Sequence, residues 1–512
     1  MNNIISSFSP IKSRYLQPCE DNLQTLESPP FLLVLLGATG DLSQKKIIPS
    51  LCGLYQNGFL SDNSQIIASG RSPLSNNQFR NRDCKIDEKC KMCKDTENWN
   101  EFSGKLSYVQ AAFHNEDACS ELFSRIKEIK SDTVKDIATI YFLAVPPESM
   151  DEIIDAIGRN ETDIENSSCR IIIEKPFGND RKSSVKLNRK LHLYFKESQI
   201  FRIDHYLGKE TVQNILYFRF ANLIFESIWN RNFIENIQIT VSEDIGIAKR
   251  GKFYERVGVI RDVVQNHIMQ LIAISTMEPP AGFDADLIRD EKMKVFRSIK
   301  QMDCDEIKKF TVCGQYGKSE NKLSYREELH VSEDSLTPTF FAGRFFIDNW
   351  RWAGVPILVR TGKRLKEKRT EILVNFKHPP LHLVGSNCDI LKNNQLVFSI
   401  QPREEISMQL NVKEPGPKNN LHPVKMIFNY EDSLNAKKLP DYERLLLDCL
   451  RGEVMLFARH DGIDAMWSIV DPIIEYWEAN LKINDFPNYS PGSWGPGGSD
   501  KIARECNSFW NN

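Results

Sequence analysis

Six consecutive apolar residues, Phe31 to Leu36, end abruptly at Gly37. A continuous run of that length predicts a strand buried on both faces, as in a parallel sheet. A helical stretch follows, and then Gln65-Ile66-Ile67-Ala68. The segments Leu106–Ala112, Thr139–Val145 and Arg170–Ile173 supply further strands, with a helix over Ala118–Lys130 between two of them. Strands alternating with helices predict a Rossmann-like, doubly wound α/β unit covered on both faces. After Asp204 the texture changes. A helix is predicted over Lys209–Phe220 and a longer amphipathic one over Val257–Met277. Strand patterns gather at Ile237–Glu243, Thr337–Phe346, Pro356–Thr361, Glu371–Phe376 and Leu396–Gln401. Such a mixture predicts an α+β unit with a large, mostly antiparallel sheet. The run 489–498 is rich in Gly and Pro and reads as loop. The division is therefore a disordered lead-in over 1–29, a dinucleotide-binding unit over 30–203 and a second unit over 204–512.

Composition narrows the class. With 512 residues, 41% of them hydrophobic and 26% charged, the chain reads as a globular protein of more than one domain. A formal charge of −3 argues against a general nucleic-acid binder. No apolar run approaches membrane-spanning length, so no membrane partner is expected. The first thirty residues lack the apolar core and cleavage site of a secretory signal. Twelve cysteines are scattered, as expected of free thiols in a reducing compartment such as the cytoplasm. Cys84, Cys90 and Cys93 cluster, and Cys90-Lys-Met-Cys93 has half of a zinc-knuckle spacing. No second pair follows, so they read as thiols on a charged turn.

Gly37-Ala38-Thr39-Gly40-Asp41-Leu42 stands where the first strand hands over to a helix. Glycine there lets the backbone turn tightly and approach a pyrophosphate. The helix N-terminus then faces the negative charge. No GK[ST] follows, which counts against a P-loop. The second strand ends in Ser69-Gly70-Arg71-Ser72. An acid at that place would hold ribose hydroxyls, whereas a guanidinium grips a 2′-phosphate. NADP is therefore favoured over NAD.

Three further segments carry candidate chemistry. Lys175, in Glu174-Lys175-Pro176-Phe177-Gly178, follows a buried strand at the edge where an open sheet binds ligands. His205, Tyr206 and Lys209 sit at the mouth of the helix predicted from Lys209, a place suited to a phosphate dianion. His267 lies on the long amphipathic helix with Asp262 five residues before it. In an α-helix that spacing is about 140° around the axis and does not put the two on one face.

Arg202-Ile203-Asp204-His205-Tyr206-Leu207-Gly208-Lys209-Glu210 closely resembles the signature of the glucose-6-phosphate dehydrogenase family. GATGDL, the SGRS segment, EKPFG and VIRDVVQNHIMQ resemble other motifs of that family in the same order, over roughly residues 30 to 500. The resemblance implies oxidation of glucose 6-phosphate at C1 with NADP, giving 6-phosphogluconolactone at the entry to the oxidative pentose phosphate pathway. It implies that His267 is the general base and that Asp204 holds the other imidazole nitrogen. Lys175 would bridge substrate and nicotinamide, and Pro176 would help set its position. Glu243 and Asp262 would bind sugar hydroxyls, with Lys363 close by. His205, Tyr206 and Lys209 would clamp the phosphate. Gly37 to Leu42 and Arg71 would hold the coenzyme. No metal is implied. A homodimer or a tetramer of dimers, joined through the large sheet, is implied. Some members hold a second NADP; Arg360 and Arg369 match that site, but Leu373, Ser399 and Gln409 do not, so it is expected to be missing or weak. The rival readings are a dehydrogenase of free glucose or another hexose phosphate, and a catalytically inactive sugar-phosphate or NADPH sensor.

Overall fold

The structure is a computed structural model that describes residues 27–81, 96–113, 116–132, 137–161, 168–381, 393–417, 421–429 and 439–512. Cys84, Cys90, Cys93 and most of the 1–29 lead-in lie outside the described residues. Two sheets organise the rest. The first is wholly parallel and contains β1 (Phe31–Leu36), β2 (Gln65–Gly70), β3 (Leu106–Gln110), β4 (Ala138–Leu143), β5 (Cys169–Ile173) and β6 (Ile200–Arg202). Their order is β3-β2-β1-β4-β5-β6. All residues of β1 and β4 are buried, which is why both read as continuous apolar runs. The strand order reverses between β1 and β4, the switch point beyond whose carboxyl ends an open α/β sheet binds its ligand. Gly37 follows β1 at that edge, and Glu174-Lys175 follows β5.

The second sheet contains β7 (Ile234–Ser242), β8 (Thr311–Gly314), β9 (Phe340–Phe345), β10 (Ile357–Gly362), β11 (Arg369–Phe376), β12 (Gln395–Gln401), β13 (Glu405–Lys413) and β14 (Leu421–Asn429). Its order is β14-β13-β12-β11-β7-β10-β9-β8, and among the described residues only β7 and β10 are paired in parallel within it. Strands β13 and β14 escape the sequence reading. They are half exposed, and Pro423 sits inside β14, which a sheet tolerates only at an edge. The helix His460–Asn480 packs on Arg181–His192 from the first unit and on Ala285–Ser298 from the second. It joins the two units.

The long helix expected over Val257–Met277 is broken into three. An α-helical piece, Gly251–Val259, contains Gly258 at φ +60°, which ends its regular course. Ile260–Ile268 then runs as a π-helix, and Met269–Thr276 returns to α. Asn266 supports the wide turn, donating from Nδ2 to the carbonyl of Arg261 five residues back at 3.1 Å. In a π-helix residues five apart are successive in the ladder. The 140° separation expected of Asp262 and His267 therefore does not apply, and both reach one side chain.

Candidate active site

That side chain is Lys175. Its Nζ donates to the Asp262 carbonyl at 2.9 Å and stands 3.3 Å from Asp262 Oδ1. It also lies 2.8 Å from His267 Nε2. The other imidazole nitrogen, Nδ1, is 2.5 Å from Asp204 Oδ1. Both His267 and Asp204 are 3% exposed. Burial pushes the His267 pKa below its ordinary value, against the opposing pull of Asp204. Burial would raise Asp204, but the imidazole against it brings the carboxyl down to about 2. The consistent state is a neutral ring that donates from Nδ1 to a carboxylate and offers a lone pair at Nε2. This is the orientation a proton acceptor needs. The backbone N–H of Tyr206 also donates to Asp204 Oδ1, at 3.0 Å, and fixes the carboxylate from a second side.

Aromatic rings wall the imidazole. Tyr206 stacks on His267 with centroids 4.2 Å apart, and His205 meets it edge-on at 4.5 Å. Burial holds the pKa of His205 well below the ordinary value. The Tyr206 hydroxyl shares a 3.3 Å hydrogen bond with Thr370 Oγ1. Lys209 is the N-cap of the helix Glu210–Phe220, one residue later in role than the sequence suggests. Its ammonium lies over the Tyr206 ring at 5.6 Å and donates to Asp441 Oδ2 at 2.5 Å. Asp441 opens the helix Asp441–Arg451, which comes so close that a Cβ on Gly208 would lie 2.7 Å from the Asp441 carbonyl. The glycine in the RIDHYLGKE run is thus a packing requirement.

Lys363 completes the far wall. It follows β10, is 2% exposed, and donates to Glu243 Oε1 at 2.5 Å. Its Nζ is 3.7 Å from Asp262 Oδ2. Lys363 is thus buried between two carboxylates. Asp262 ionises well below the ordinary range: burial opposes this, and Lys175 and Lys363 outweigh it. Asp204, His205, Tyr206, Lys209, Glu243, Asp262, His267, Lys363 and Lys175 are linked into one network by these contacts.

The glycine turn stands at the carboxyl edge of the first sheet. Gly37 has φ +84°, and a Cβ there would sit 2.2 Å from the Ala144 carbonyl. Only glycine fits that backbone. Ser43 Oγ donates to the Gly37 carbonyl at 3.0 Å, and Gln44 Nε2 to the Ala38 carbonyl at 2.7 Å, so the turn is tied to its helix. Asp41 pairs with Lys45. At the end of β2, a Cβ on Gly70 would be 3.2 Å from Thr39 Oγ1, which lets the two strand ends close up. Arg71 follows and is exposed.

Sequence reasoning missed Asp441, Thr370, Glu174 and Tyr442. Tyr442 donates to Glu174 Oε1 at 3.1 Å, directly beside Lys175. Burial raises the Glu174 carboxyl from 4.5 to about 7. Glu174 stood inside a recognised motif; no local signal points to a partner 268 positions away.

A parallel sheet in the order 3-2-1-4-5-6, a glycine turn at its switch point and an imidazole–carboxylate pair opposite define a Rossmann-type dehydrogenase architecture. Residues 34–214 match the model of the glucose-6-phosphate dehydrogenase NAD binding domain, and 216–511 that of the C-terminal domain. The chain belongs to the glucose-6-phosphate dehydrogenase family. It is 39% identical over 494 residues to glucose-6-phosphate 1-dehydrogenase of Bacillus subtilis, covering 95% of this chain and 99% of that one. Against the chloroplastic enzyme of Spinacia oleracea it is 36% identical, over 98% of this chain and 88% of that one. A solved glucose-6-phosphate dehydrogenase in complex with glucose 6-phosphate superposes with a TM-score of 0.86 at 34% identity, covering 95% of this chain and 99% of that one. No helix among the described residues is long and apolar enough to cross a membrane.

Proposed function

We propose that the chain oxidises D-glucose 6-phosphate at C1 to 6-phospho-D-glucono-1,5-lactone with NADP. The observation that carries this reading is the buried Asp204–His267 pair with Nε2 facing Lys175 at the mouth of the dinucleotide crevice. Residues 30–203 hold the coenzyme and 204–512 hold the sugar. The turn fits a dinucleotide, because Gly37 at φ +84° and Gly70 let the backbone after β1 and β2 pack closely at the carboxyl edge of the sheet, where a pyrophosphate is bound. NADP, when bound, accepts the hydride from C1. His267 takes the C1 hydroxyl proton at Nε2 as the C–H bond weakens. The substrate hydroxyl replaces the Lys175 ammonium there, and Lys175 turns between sugar and nicotinamide. Asp204 stabilises the imidazolium that forms. Glu243, Asp262 and Lys363 orient ring hydroxyls. His205, Tyr206 and Lys209 anchor the phosphate. Gly37, Ala38, Thr39, Gly40, Asp41 and Leu42 cradle the pyrophosphate, and Arg71 grips the 2′-phosphate.

Retention of base, carboxylate and lysine in hydrogen-bonding contact favours turnover over an inactive sensor. A side-by-side assay of NADP and NAD reduction with glucose 6-phosphate and with free glucose tests the reading. NADPH formation dependent on the sugar phosphate is expected, and efficient use of free glucose would undo the phosphate clamp. We also assign a homodimer or a dimer of dimers joined through the large sheet. Its outer strand β14 exposes Met426 and Ile427 by 62% and 57%. Arg360 is enclosed by Trp494 and Trp510, and its Nη1 donates to Asn512, contacts that a second nucleotide would have to compete with, in keeping with a second site that is missing or weak. The described cysteines are all free thiols, which suits the cytoplasm.

A further inference from the structure

A second cluster of ligating side chains lies outside the network around His267. His192 ends the helix Arg181–His192, Glu197 opens the turn that leads into β6, and His460 opens the helix His460–Asn480. His192 Nε2 is 3.0 Å from Glu197 Oε2, and His460 Nδ1 is 3.3 Å from the same oxygen. The two imidazoles meet edge-to-face with centroids 5.0 Å apart. The three donor atoms all lie within 4.8 Å of one another. Tetrahedral zinc holds N and O ligands at about 2.0–2.2 Å, which places neighbouring donors about 3.3 Å apart. The cluster therefore needs only small side-chain rotations to converge on one ion. We propose that His192, Glu197 and His460 form a zinc-class divalent metal site that joins the two units of the chain.

Two imidazoles and one carboxylate are a donor set suited to zinc, with a fourth position left for water. The site borders a cleft of about 1260 Å³ that is also lined by Asp461, Asp464, Asp471 and Glu475. Arg181 and Arg459 pair with Asp464 and Asp461, so the negative charge offered to a dication is that of Glu197 itself. Arg202 is the competing cation. It forks onto Glu197 through Nη1 at 2.7 Å and Nη2 at 3.1 Å. Glu197 Oε1 can keep Arg202 Nη1 and the His460 backbone N–H, which donates to it at 3.0 Å, while Oε2 turns to the metal. Two ligands come from the first unit and one from the second, so the ion would fasten them together. Arg202 is two residues from Asp204, and its carbonyl accepts from Ala458 N at 3.2 Å. The fastening would therefore steady the strand that carries the Asp204 carboxylate.

Equilibrium dialysis of the full chain against Zn2+, with metal analysis and a melting curve, tests this. A single bound Zn2+ and a raised melting temperature are expected. Both should vanish in the His192→Asn/His460→Asn double variant and persist in a Cys84→Ser/Cys90→Ser/Cys93→Ser variant. Basal activity in chelator should be unchanged in both. Zinc stoichiometry unaffected by the histidine changes, or lost with the cysteines, overturns the proposal. Should the double variant not fold, the visible spectrum of Co2+ on the unaltered chain and on His267→Asn decides. Nitrogen and oxygen ligation that persists in His267→Asn supports the site, and a thiolate charge-transfer band, or loss of the Co2+ signal in His267→Asn, overturns it.

Discussion

Lys175 Nζ lies 2.8 Å from His267 Nε2, so an ammonium faces the lone pair that the proposed base must use. Burial is the first cause of the lowered His267 pKa, and the Lys175 charge adds to it. The ring therefore stays neutral below its ordinary value of about 6.5, and the acid limb of kcat/KM should fall below that pH. Lys175→Met removes one of the two causes. Its limb should move to higher pH while kcat falls. A pH–rate profile that does not move would separate Lys175 from the base.

His267→Asn should lower kcat by roughly 10²–10⁴-fold, the range for loss of a general base, with KM for the sugar phosphate changed only slightly. Asp204→Asn removes the acceptor that fixes the Nδ1 proton, 2.5 Å away. It should also lower kcat while leaving NADP binding intact. Steady-state kinetics with coenzyme titration distinguishes these losses from a collapse of the crevice. Normal turnover by His267→Asn would remove the base assignment.

Lys209 is nearly buried, and the structure gives it one carboxylate partner, Asp441. A charge-assisted hydrogen bond is worth about 1.5–3 kcal/mol, so Lys209→Ala should raise KM for glucose 6-phosphate by roughly 10–150-fold. Any slow turnover of free glucose should be affected far less. Equal losses on both sugars would mean that Lys209 supports the fold and not the phosphate.

The coenzyme side is tested at two positions. Gly37→Ala should weaken NADP binding and stability together, because its Cβ meets the Ala144 carbonyl and φ is positive. Arg71→Asp should weaken NADP binding by at least about tenfold and spare NAD, through loss of the 2′-phosphate contact. Fluorescence titration with each coenzyme reads both effects. Unchanged NADP affinity in Arg71→Asp would place the 2′-phosphate elsewhere.

How much of this was visible in the sequence depended on range. β1, the Gly37 turn and the strand before Lys175 are local: apolar runs meeting Gly or Pro mark them directly. The resemblance named His267, Asp204 and Lys209 without showing how they meet. Helical spacing even argued against a shared face for Asp262 and His267, because an α-helical angle was applied to a stretch that Asn266 helps to hold as a π-helix. The resemblance places Lys363 only near the sugar, and the packing of β10 against β7 shows it buried between Glu243 and Asp262. Asp441 and Tyr442 carry no motif. Their roles arise when the helix they begin settles against Gly208, and nothing local encodes that contact.

Glu174 gives the last prediction. Its carboxyl is buried, takes a hydrogen bond from Tyr442, and rises from 4.5 to about 7 in the folded chain. Between those values the folded state binds a proton that the unfolded state has released. Stability from this group is therefore fully present below about pH 4.5 and is lost as pH rises through about 7. Its upper bound is about 3 kcal/mol. Glu174→Gln keeps an acceptor for Tyr442 but cannot ionise. Its stability should not carry this decline, so it should exceed the parent above pH 7 and approach it near pH 5. Denaturant unfolding at the two pH values measures the difference. If parent and variant lose the same stability between them, Glu174 does not hold its proton in the folded chain.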